Sequence, residues 1–239
     1  PYFAMEFVDG RSLAQVIQEI GPIDALRATN IARQIADGLA AAHDLDIVDR
    51  DLKPDNVMIG STRGGVEFVK LVDFGIAKPT SGGASTITRT GFILGTPAYM
   101  SPEQISGDRL DGRTDLYSLG CVLYQMLTGS APFSGDTIES VMMRRLSEPP
   151  PHPRAVDESV PPSLDVIVTT LLQRHPGQRY QNAREASDAL LDVQRELERL
   201  SPRSGVSASQ AGQETAPATV TTVHRPSRPS QMPVPPAPV

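Results

Sequence analysis

The chain has 239 residues, of which 39 % are hydrophobic, enough to bury one large core or two small ones. The formal net charge is −6 and the lysines and arginines form no basic stripe, which argues against nucleic acid as a partner. The single cysteine, Cys121, excludes an internal disulfide and fits a reducing, cytoplasmic location.

The first part of the sequence predicts one strand, then two helices, then two further strands. Residues 2–8 are aromatic and apolar, which predicts a strand that ends in a turn at Asp9-Gly10. The next stretches predict a short helix at Ser12–Ile20 and a longer one at Ile23–His43, where apolar residues recur at helical spacing. The short apolar runs Val57–Ile59 and Val66–Val72 follow, separated by a glycine-containing turn, and predict two further strands.

The second part of the chain is predicted to be helical after a polar loop. Residues 79–90 are rich in Ser, Thr and Gly without periodicity, which predicts a mobile loop. Four helices are predicted beyond it, at Thr114–Thr128, Asp136–Ser147, Ser163–Gln173 and Ala183–Leu200. Residues 201–239 are rich in Pro, Ser and Ala with few large apolar groups, so we expect this tail to be disordered.

Polar groups with a possible chemical role cluster at the predicted strand pair. Asp51, Lys53 and Asn56 lie just before the strand that begins at Val57. Asp73 follows the next strand, and a hairpin would bring it back beside Asn56. Asp and Asn also favour ordinary turns, but a carboxylate and an amide oxygen together suit Mg²⁺. The pattern predicts a centre for γ-phosphate transfer, which needs metal ions, a group that positions the hydroxyl, and cations.

Three motifs in order make the chain resemble the protein kinase family. They are DLKPDN at 51–56, DFG at 73–75 and GTPAYMSPE at 95–103, which look like the catalytic loop, the metal-binding loop and the end of the activation segment. The residues of these motifs are similar to those of the serine/threonine branch and of its bacterial members. The resemblance implies an α+β, protein-kinase-like fold: a mainly α-helical C-lobe with a small β-hairpin and a disordered C-terminal tail.

The resemblance divides the chain into three parts. Residues 1–10 would be the last N-lobe strand and the hinge. Residues 11–200 would be the C-lobe, with the catalytic loop, the activation segment and the helical subdomain. Residues 201–239 would be the tail, which in bacterial relatives often leads to a membrane span. Because no apolar run here approaches the roughly 18 residues of such a span, and no signal peptide is apparent, a membrane link would come only from sequence beyond this chain.

The resemblance also assigns roles around the reacting phosphate. Asp51 would accept or orient the proton of the substrate hydroxyl, and Lys53 would stabilise the transferring phosphoryl group. Thr96 would bridge Asp51 and Lys53. Asn56 and Asp73 would hold Mg²⁺, for which Mn²⁺ is an alternative.

A second group of positions would bind the rest of ATP. Met5 would be the gatekeeper, and the backbones of Glu6 and Val8 would meet adenine. Met58 would form part of the adenine floor, and Ser12 would approach the ribose. A plain buried strand is the alternative interpretation of residues 2–8 taken alone.

Further positions match structural parts of the family. Asp115 and Gly120 match the buried helix that anchors the catalytic loop. Glu103 and Arg179 match an ion pair beneath the activation segment. Arg50, next to Asp51, would bind a phosphate on the loop that precedes Thr96.

That loop is the segment in which kinases are switched. Thr88 and Thr90 are the candidate phosphosites, and Ser85 and Thr86 are weaker ones. A flexible Thr-rich loop without phosphate is the alternative.

Two departures from the family bear on activity. The 239 residues include no Gly-rich loop, strand lysine or helix glutamate of an N-lobe, so we expect these residues alone to bind ATP poorly and transfer phosphate slowly or not at all. The family usually has His where this chain has Asp49. A charge there would enter a partly desolvated place, which is costly unless it is paired or protonated. The hypothesis is a loosened metal loop.

These residues are compatible with three functions. The first is a serine/threonine protein kinase that uses ATP, acts on protein Ser/Thr hydroxyls and self-associates for autophosphorylation. The second is a pseudokinase or protein-interaction module, which Asp49 favours and the intact Asp51, Lys53, Asn56 and Asp73 oppose. The third is a small-molecule phosphotransferase, an enzyme class that lacks the Ser-Pro-Glu segment present here.

Overall fold

The computed structural model describes residues 8–73 and 97–200. In these ranges the helices are α1 Leu13–Ile20, α2 Ala25–His43, α3 Pro102–Ser106, α4 Gly112–Thr128, α5 Ile138–Ser147, α6 Pro162–Leu171 and α7 Ala183–Leu200. The strands are β1 Gly10–Ser12, β2 Val57–Ser61 and β3 Glu67–Leu71. Short 3₁₀ turns lie at Pro54–Asn56, Pro97–Tyr99, Pro153–Ala155 and Pro176–Gln178.

All six predicted helices are present, and their ends lie within about two residues of the predicted bounds. Side-chain caps explain where the first two begin. The Ser12 hydroxyl accepts from the Gln15 N–H at the start of α1, and the Asp24 carboxylate accepts from the N–H groups of Leu26 and Arg27 at the start of α2. The short helix α3 was not predicted, because five residues are too few to show helical periodicity.

The three strands form one antiparallel sheet in the order β1-β2-β3. The predicted hairpin is present, with Val57 opposite Leu71, and the Val72 N–H donates to the Asn56 carbonyl oxygen over 2.9 Å. The predicted turn at Asp9-Gly10 is wrong at Gly10, which begins β1. Gly10 is in a strand because it pairs with Gly60 of β2, some fifty residues away in sequence. Local turn preferences cannot predict such a distant pairing.

The core lies where α4 passes between α2, α6 and α7. Helix α4 is buried on nearly every face, as its apolar sequence predicts, and Leu116, Leu119 and Leu123 have no exposed surface. A Cβ at Gly120 would lie 2.8 Å from the Leu171 Cβ, so the glycine allows α4 and α6 to approach closely. Each fully buried leucine contributes about 1.5–3 kcal/mol, which makes α4 a rigid support for the loops at its N-terminal end.

Candidate active site

Asp51 and Lys53 lie in the loop between α2 and β2, immediately before the 3₁₀ turn Pro54–Asn56. Lys53 Nζ is 3.1 Å from Asp51 Oδ2, and the Asn56 amide nitrogen donates to the Asp51 carbonyl oxygen over 3.1 Å. The side chains of Asp51 and Lys53 are 21 % and 20 % exposed, so solvent reaches both. An accessible carboxylate beside an ammonium can take a proton from a hydroxyl and offset negative charge that develops nearby.

The backbone of this loop is held by a buried carboxylate on α4. Asp115 has no exposed surface, and its two oxygens accept from the N–H groups of Asp49 (2.9 Å) and Arg50 (2.8 Å). Arg50 has φ 62°, a left-handed conformation that costs a non-glycine residue about 1 kcal/mol or more. Hydrogen bonds to a charged group contribute about 1.5–3 kcal/mol each, which offsets that strain. Asp115 thereby fixes a loop conformation that the backbone alone disfavours.

His43 is a third partner of the same carboxylate. Its Nε2 lies 2.8 Å from Asp115 Oδ2, and the ring fits because residue 112 has no side chain: a Cβ at Gly112 would lie 2.7 Å from His43 Nδ1. Sequence reasoning missed this contact, because nothing in the order of residues pairs position 43 with position 115. A histidine at the last residue of a helix that feeds the catalytic loop was the only available signal.

Asn56 and Asp73 are brought to the same end of the hairpin. The Val72 N–H donates to the Asn56 carbonyl oxygen, and Asp73 follows with an exposed side chain and φ 55°. Asn56 is buried and its amide nitrogen donates to the Asp51 carbonyl oxygen, so that bond does not use its amide oxygen. Within 8–73 and 97–200 no cluster of three or more His, Cys, Asp or Glu could hold a metal. One carboxylate and one amide oxygen suit a Mg²⁺ that completes its shell with water and phosphate oxygens.

A buried ion pair joins α3 to the residues before α7. Arg179 Nη1 and Nη2 lie 2.7 and 2.8 Å from the two carboxylate oxygens of Glu103, and both residues are buried. Burial disfavours the ionised carboxyl, but the hydrogen bonds and charge of Arg179 outweigh it, so the pKa of Glu103 lies below its ordinary value. The predicted partners are therefore in contact.

Gln104 connects α3 with the catalytic loop. Its Oε1 accepts from the Ser101 N–H (2.8 Å), which completes a capping box, and its Nε2 donates to the Arg50 carbonyl oxygen (2.9 Å). Sequence reasoning missed this residue, although Ser101 followed three positions later by a glutamine is a recognised start of a helix. The pattern could reveal the cap but not the second bond.

The predicted ATP-binding positions that the structure describes lie together on the sheet. Ser12 in β1 is directly opposite Met58 in β2, and both are partly buried. Val8 precedes β1 and is also partly buried. Met5, Glu6, Thr96 and the phosphosites Thr88 and Thr90 lie outside the described residues.

Asp49 and Arg50 come directly before Asp51 in the same loop. Asp49 is 1 % exposed, so the position is more completely desolvated than the sequence suggested. Arg50 is partly buried, next to the carboxylate of Asp51 in sequence, and the loop that its predicted phosphate would occupy lies outside the described residues.

The fold and this loop arrangement define a protein kinase domain, and comparison with known proteins agrees. The protein kinase domain model matches residues 1–191, so the chain belongs to the protein kinase family. A serine/threonine-protein kinase PknB of Mycobacterium tuberculosis is 40 % identical over 193 residues, which are 81 % of this chain and 30 % of that protein. The serine/threonine-protein kinase pkn3 of Myxococcus xanthus is 37 % identical over 87 % of this chain and 39 % of its own length.

A solved structure confirms the predicted fold class. The crystal structure of Rad53 1–466 in complex with AMP-PNP has a TM-score of 0.63 and 29 % sequence identity, covering 77 % of this chain and 45 % of that one. The chain thus spans 30–39 % of the length of the curated relatives named above. Among the described helices, none combines the length and the apolar character needed to cross a bilayer.

Proposed function

We propose that this chain carries the phosphate-transfer centre of a serine/threonine protein kinase that moves the γ-phosphate of ATP to Ser or Thr hydroxyls of proteins. The observation that carries the proposal is the accessible Asp51–Lys53 pair, 3.1 Å apart, on a loop fixed by Asp115. Kinase relatives that cover most of the chain support the same reaction class.

In this proposal Asp51 accepts a hydrogen bond from the substrate hydroxyl and takes its proton as the bond to phosphorus forms. Lys53 lies beside it and offsets the negative charge that develops on the transferring group. Thr96 would bridge the two. Because Asn56 ties its amide to the backbone of Asp51, the groups for proton transfer and metal binding keep a constant separation.

Asn56 and Asp73 would hold Mg²⁺ or Mn²⁺, which when bound neutralises charge on the phosphate oxygens. The adenine and ribose of ATP would lie over Met5, Glu6, Val8, Ser12 and Met58. Phosphate on Thr88 or Thr90, paired with Arg50, would order the activation segment. We place the chain in the cytoplasm, with protein substrates and transient self-association as its partners.

The test is phosphate transfer from ³²P-labelled ATP to casein by the full-length natural protein, with Asp51→Asn compared with Asp55→Asn. Loss of a general base lowers kcat by about 10²–10⁴-fold, so Asp51→Asn should fall by at least ~100-fold with little change in KM for ATP. Asp55 is exposed in the adjacent turn, and Asp55→Asn makes the same charge change four residues away. Equal activity of the two variants would contradict the role of Asp51.

A pseudokinase or protein-interaction module is the second candidate, and the buried Asp49 favours it. It predicts no transfer by the full-length protein to any Ser or Thr, with or without prior incubation with ATP and Mg²⁺. Any transfer that Asp51→Asn abolishes excludes this candidate.

A further inference from the structure

Arg145 on α5 is an arginine that the fold buries almost completely. It is 1 % exposed, and its guanidinium donates to three backbone carbonyl groups of one short segment. Nη1 lies 2.7 Å from the Pro97 oxygen and 2.6 Å from the Met100 oxygen, and Nη2 lies 2.8 Å from the Ala98 oxygen. One side chain therefore hydrogen-bonds to the 3₁₀ turn Pro97–Tyr99 and to Met100, which follows it. We call residues 97–100 the 97–100 turn.

The charge of Arg145 is balanced by dipoles and rings. Its Cζ lies 5.8 Å from the ring centroid of Tyr117 and 5.6 Å from that of Phe133, distances at which a cation is attracted to an aromatic ring. Among the ion pairs of the described residues, none joins Arg145 to a carboxylate. Arg145 is therefore bound to backbone carbonyls where a buried arginine usually has a counter-ion.

The 97–100 turn depends on side chains for its shape. Its own backbone bond, from the Met100 N–H to the Pro97 oxygen, is long at 3.4 Å. The Tyr99 oxygen accepts from the Ser118 hydroxyl over 2.9 Å, so all four carbonyl groups of the turn accept from α4 or α5. Since partly buried carbonyl groups need donors, loss of Arg145 would leave the Ala98 and Met100 oxygens to find new partners and the Pro97 oxygen with only its long backbone bond.

The 97–100 turn lies next to the reacting group. Tyr99 and Met100 line a small cavity of about 10 Å³ together with Asp51 and Lys53. A protein substrate that presents its hydroxyl to Asp51 would lay the flanking residues against this turn. The conformation of the turn is therefore in a position to decide how tightly such a substrate binds.

We infer that Arg145 is a positioning residue for the protein substrate: it holds the 97–100 turn in the shape that binds the residues flanking the phosphorylated hydroxyl. The inference rests on the proposed kinase function, but the anchoring contact itself does not. Arginine suits this task because its planar fork presents several N–H donors in fixed directions, whereas lysine offers one point of charge.

The first test is steady-state kinetics of the full-length protein, varying casein and ATP separately. Arg145→Met, which keeps much of the packing but no donor, should raise KM for casein roughly tenfold and change KM for ATP less than about twofold. Arg145→Lys should recover part of the loss, because an ammonium group can satisfy some of the carbonyl groups. The matched control is Arg144→Met, on the same helix, where the side chain is 48 % exposed and pairs with Glu148.

The second test needs no activity. Amide hydrogen exchange followed by mass spectrometry should show at least about tenfold faster exchange at 98–101 in Arg145→Met than in Arg144→Met, with β2 and β3 unchanged. If the wild-type protein transfers no phosphate, the proposed function fails and this measurement still decides the anchoring. If Arg145→Met does not fold, Arg145→Lys carries both tests with smaller shifts. An unchanged KM for casein, or unchanged exchange at 98–101, in a folded variant overturns the inference.

Discussion

The catalytic loop and the 97–100 turn are both held by buried charges on helices, but the charges have opposite signs. Asp115 is an anion that accepts from two backbone N–H groups of the loop. Arg145 is a cation that donates to three backbone carbonyl groups of the turn. The charge of each side chain suits the backbone groups that face it: N–H groups face the anion, and carbonyl groups face the cation. These hydrogen bonds hold two irregular segments in place without helix or strand.

Asp115 and Arg145, which we call the two anchors, differ in how their own charge is balanced. Asp115 has His43 at 2.8 Å beside its backbone donors, whereas Arg145 has carbonyl dipoles and the rings of Tyr117 and Phe133. A third arrangement, Glu103 with Arg179, joins both signs directly beneath α3. Removing one member of an ion pair such as Glu103–Arg179 leaves the other member buried with an uncompensated charge. We therefore rank the variants by the charge that each leaves buried without a partner, and expect the largest loss of stability where that charge is largest.

The largest effect is expected for Arg179→Met, which leaves Glu103 buried without its partner and removes donors from the carbonyl groups of Gln173 and Arg113. Breaking a buried pair costs about 3–5 kcal/mol, and we expect that fall in the free energy of unfolding of the chain, measured with urea. Arg113→Met is the control, because its pair with Asp111 is partly exposed, at 30 % and 48 %, and such pairs contribute at most about 1 kcal/mol. Equal losses would contradict the ranking.

The same pair predicts a pH dependence. Because the pKa of Glu103 is lowered in the folded chain, its contribution is present above the unfolded pKa, near 4.5, and is lost as the pH falls through the lower folded value. Glu103→Gln should flatten the decrease in stability below about pH 4.5 relative to the wild type. A decrease of the same size in the variant would show that other carboxyl groups cause it.

A smaller effect is expected for Asp115→Asn. Asparagine keeps one acceptor oxygen but loses the charge and places an amide nitrogen against a backbone donor or His43. We expect a loss of about 2–3 kcal/mol in the free energy of unfolding and faster amide exchange at Asp49 and Arg50. Asp111→Asn at the N-cap of the same helix is the control, with an expected loss below about 1 kcal/mol, because asparagine caps helices nearly as well as aspartate. A loss at Asp115 no larger than this would mean that the charge does not hold the loop.

Asp115 and the Glu103–Arg179 pair belong to motifs of the family and could be predicted from the sequence. Arg145 belongs to no motif and could not. The hairpin that brings Asn56 and Asp73 together follows from two short apolar runs. Arg145 stands next to exposed Arg144 on a polar helix, and because arginine is rarely buried, nothing in the local sequence indicates that this residue lies in the interior. Its partners lie 45 to 48 residues away in sequence, and no local rule relates them.

The smallest effect tests whether α3 is coupled to the catalytic loop. Gln104 accepts from the Ser101 N–H and donates to the Arg50 carbonyl oxygen, so it joins α3 to the catalytic loop. Gln104→Glu keeps the acceptor and loses the donor, and we expect a loss of about 1–2 kcal/mol. Gln15→Glu is a closely matched control: Gln15 occupies the same position of the capping box at α1 and is exposed, so glutamate there should be neutral or slightly stabilising.

A double-mutant cycle sharpens that result. If Gln104 transmits the position of the catalytic loop to α3, Gln104→Glu and Asp115→Asn should be non-additive by at least about 0.5 kcal/mol, since both act on the backbone at Arg50. Gln15→Glu with Asp115→Asn should be additive, because those sites share no partner. Additivity in both cycles would mean that Asp115 and Gln104 act on the catalytic loop independently, and that α3 is not coupled to the loop through Gln104.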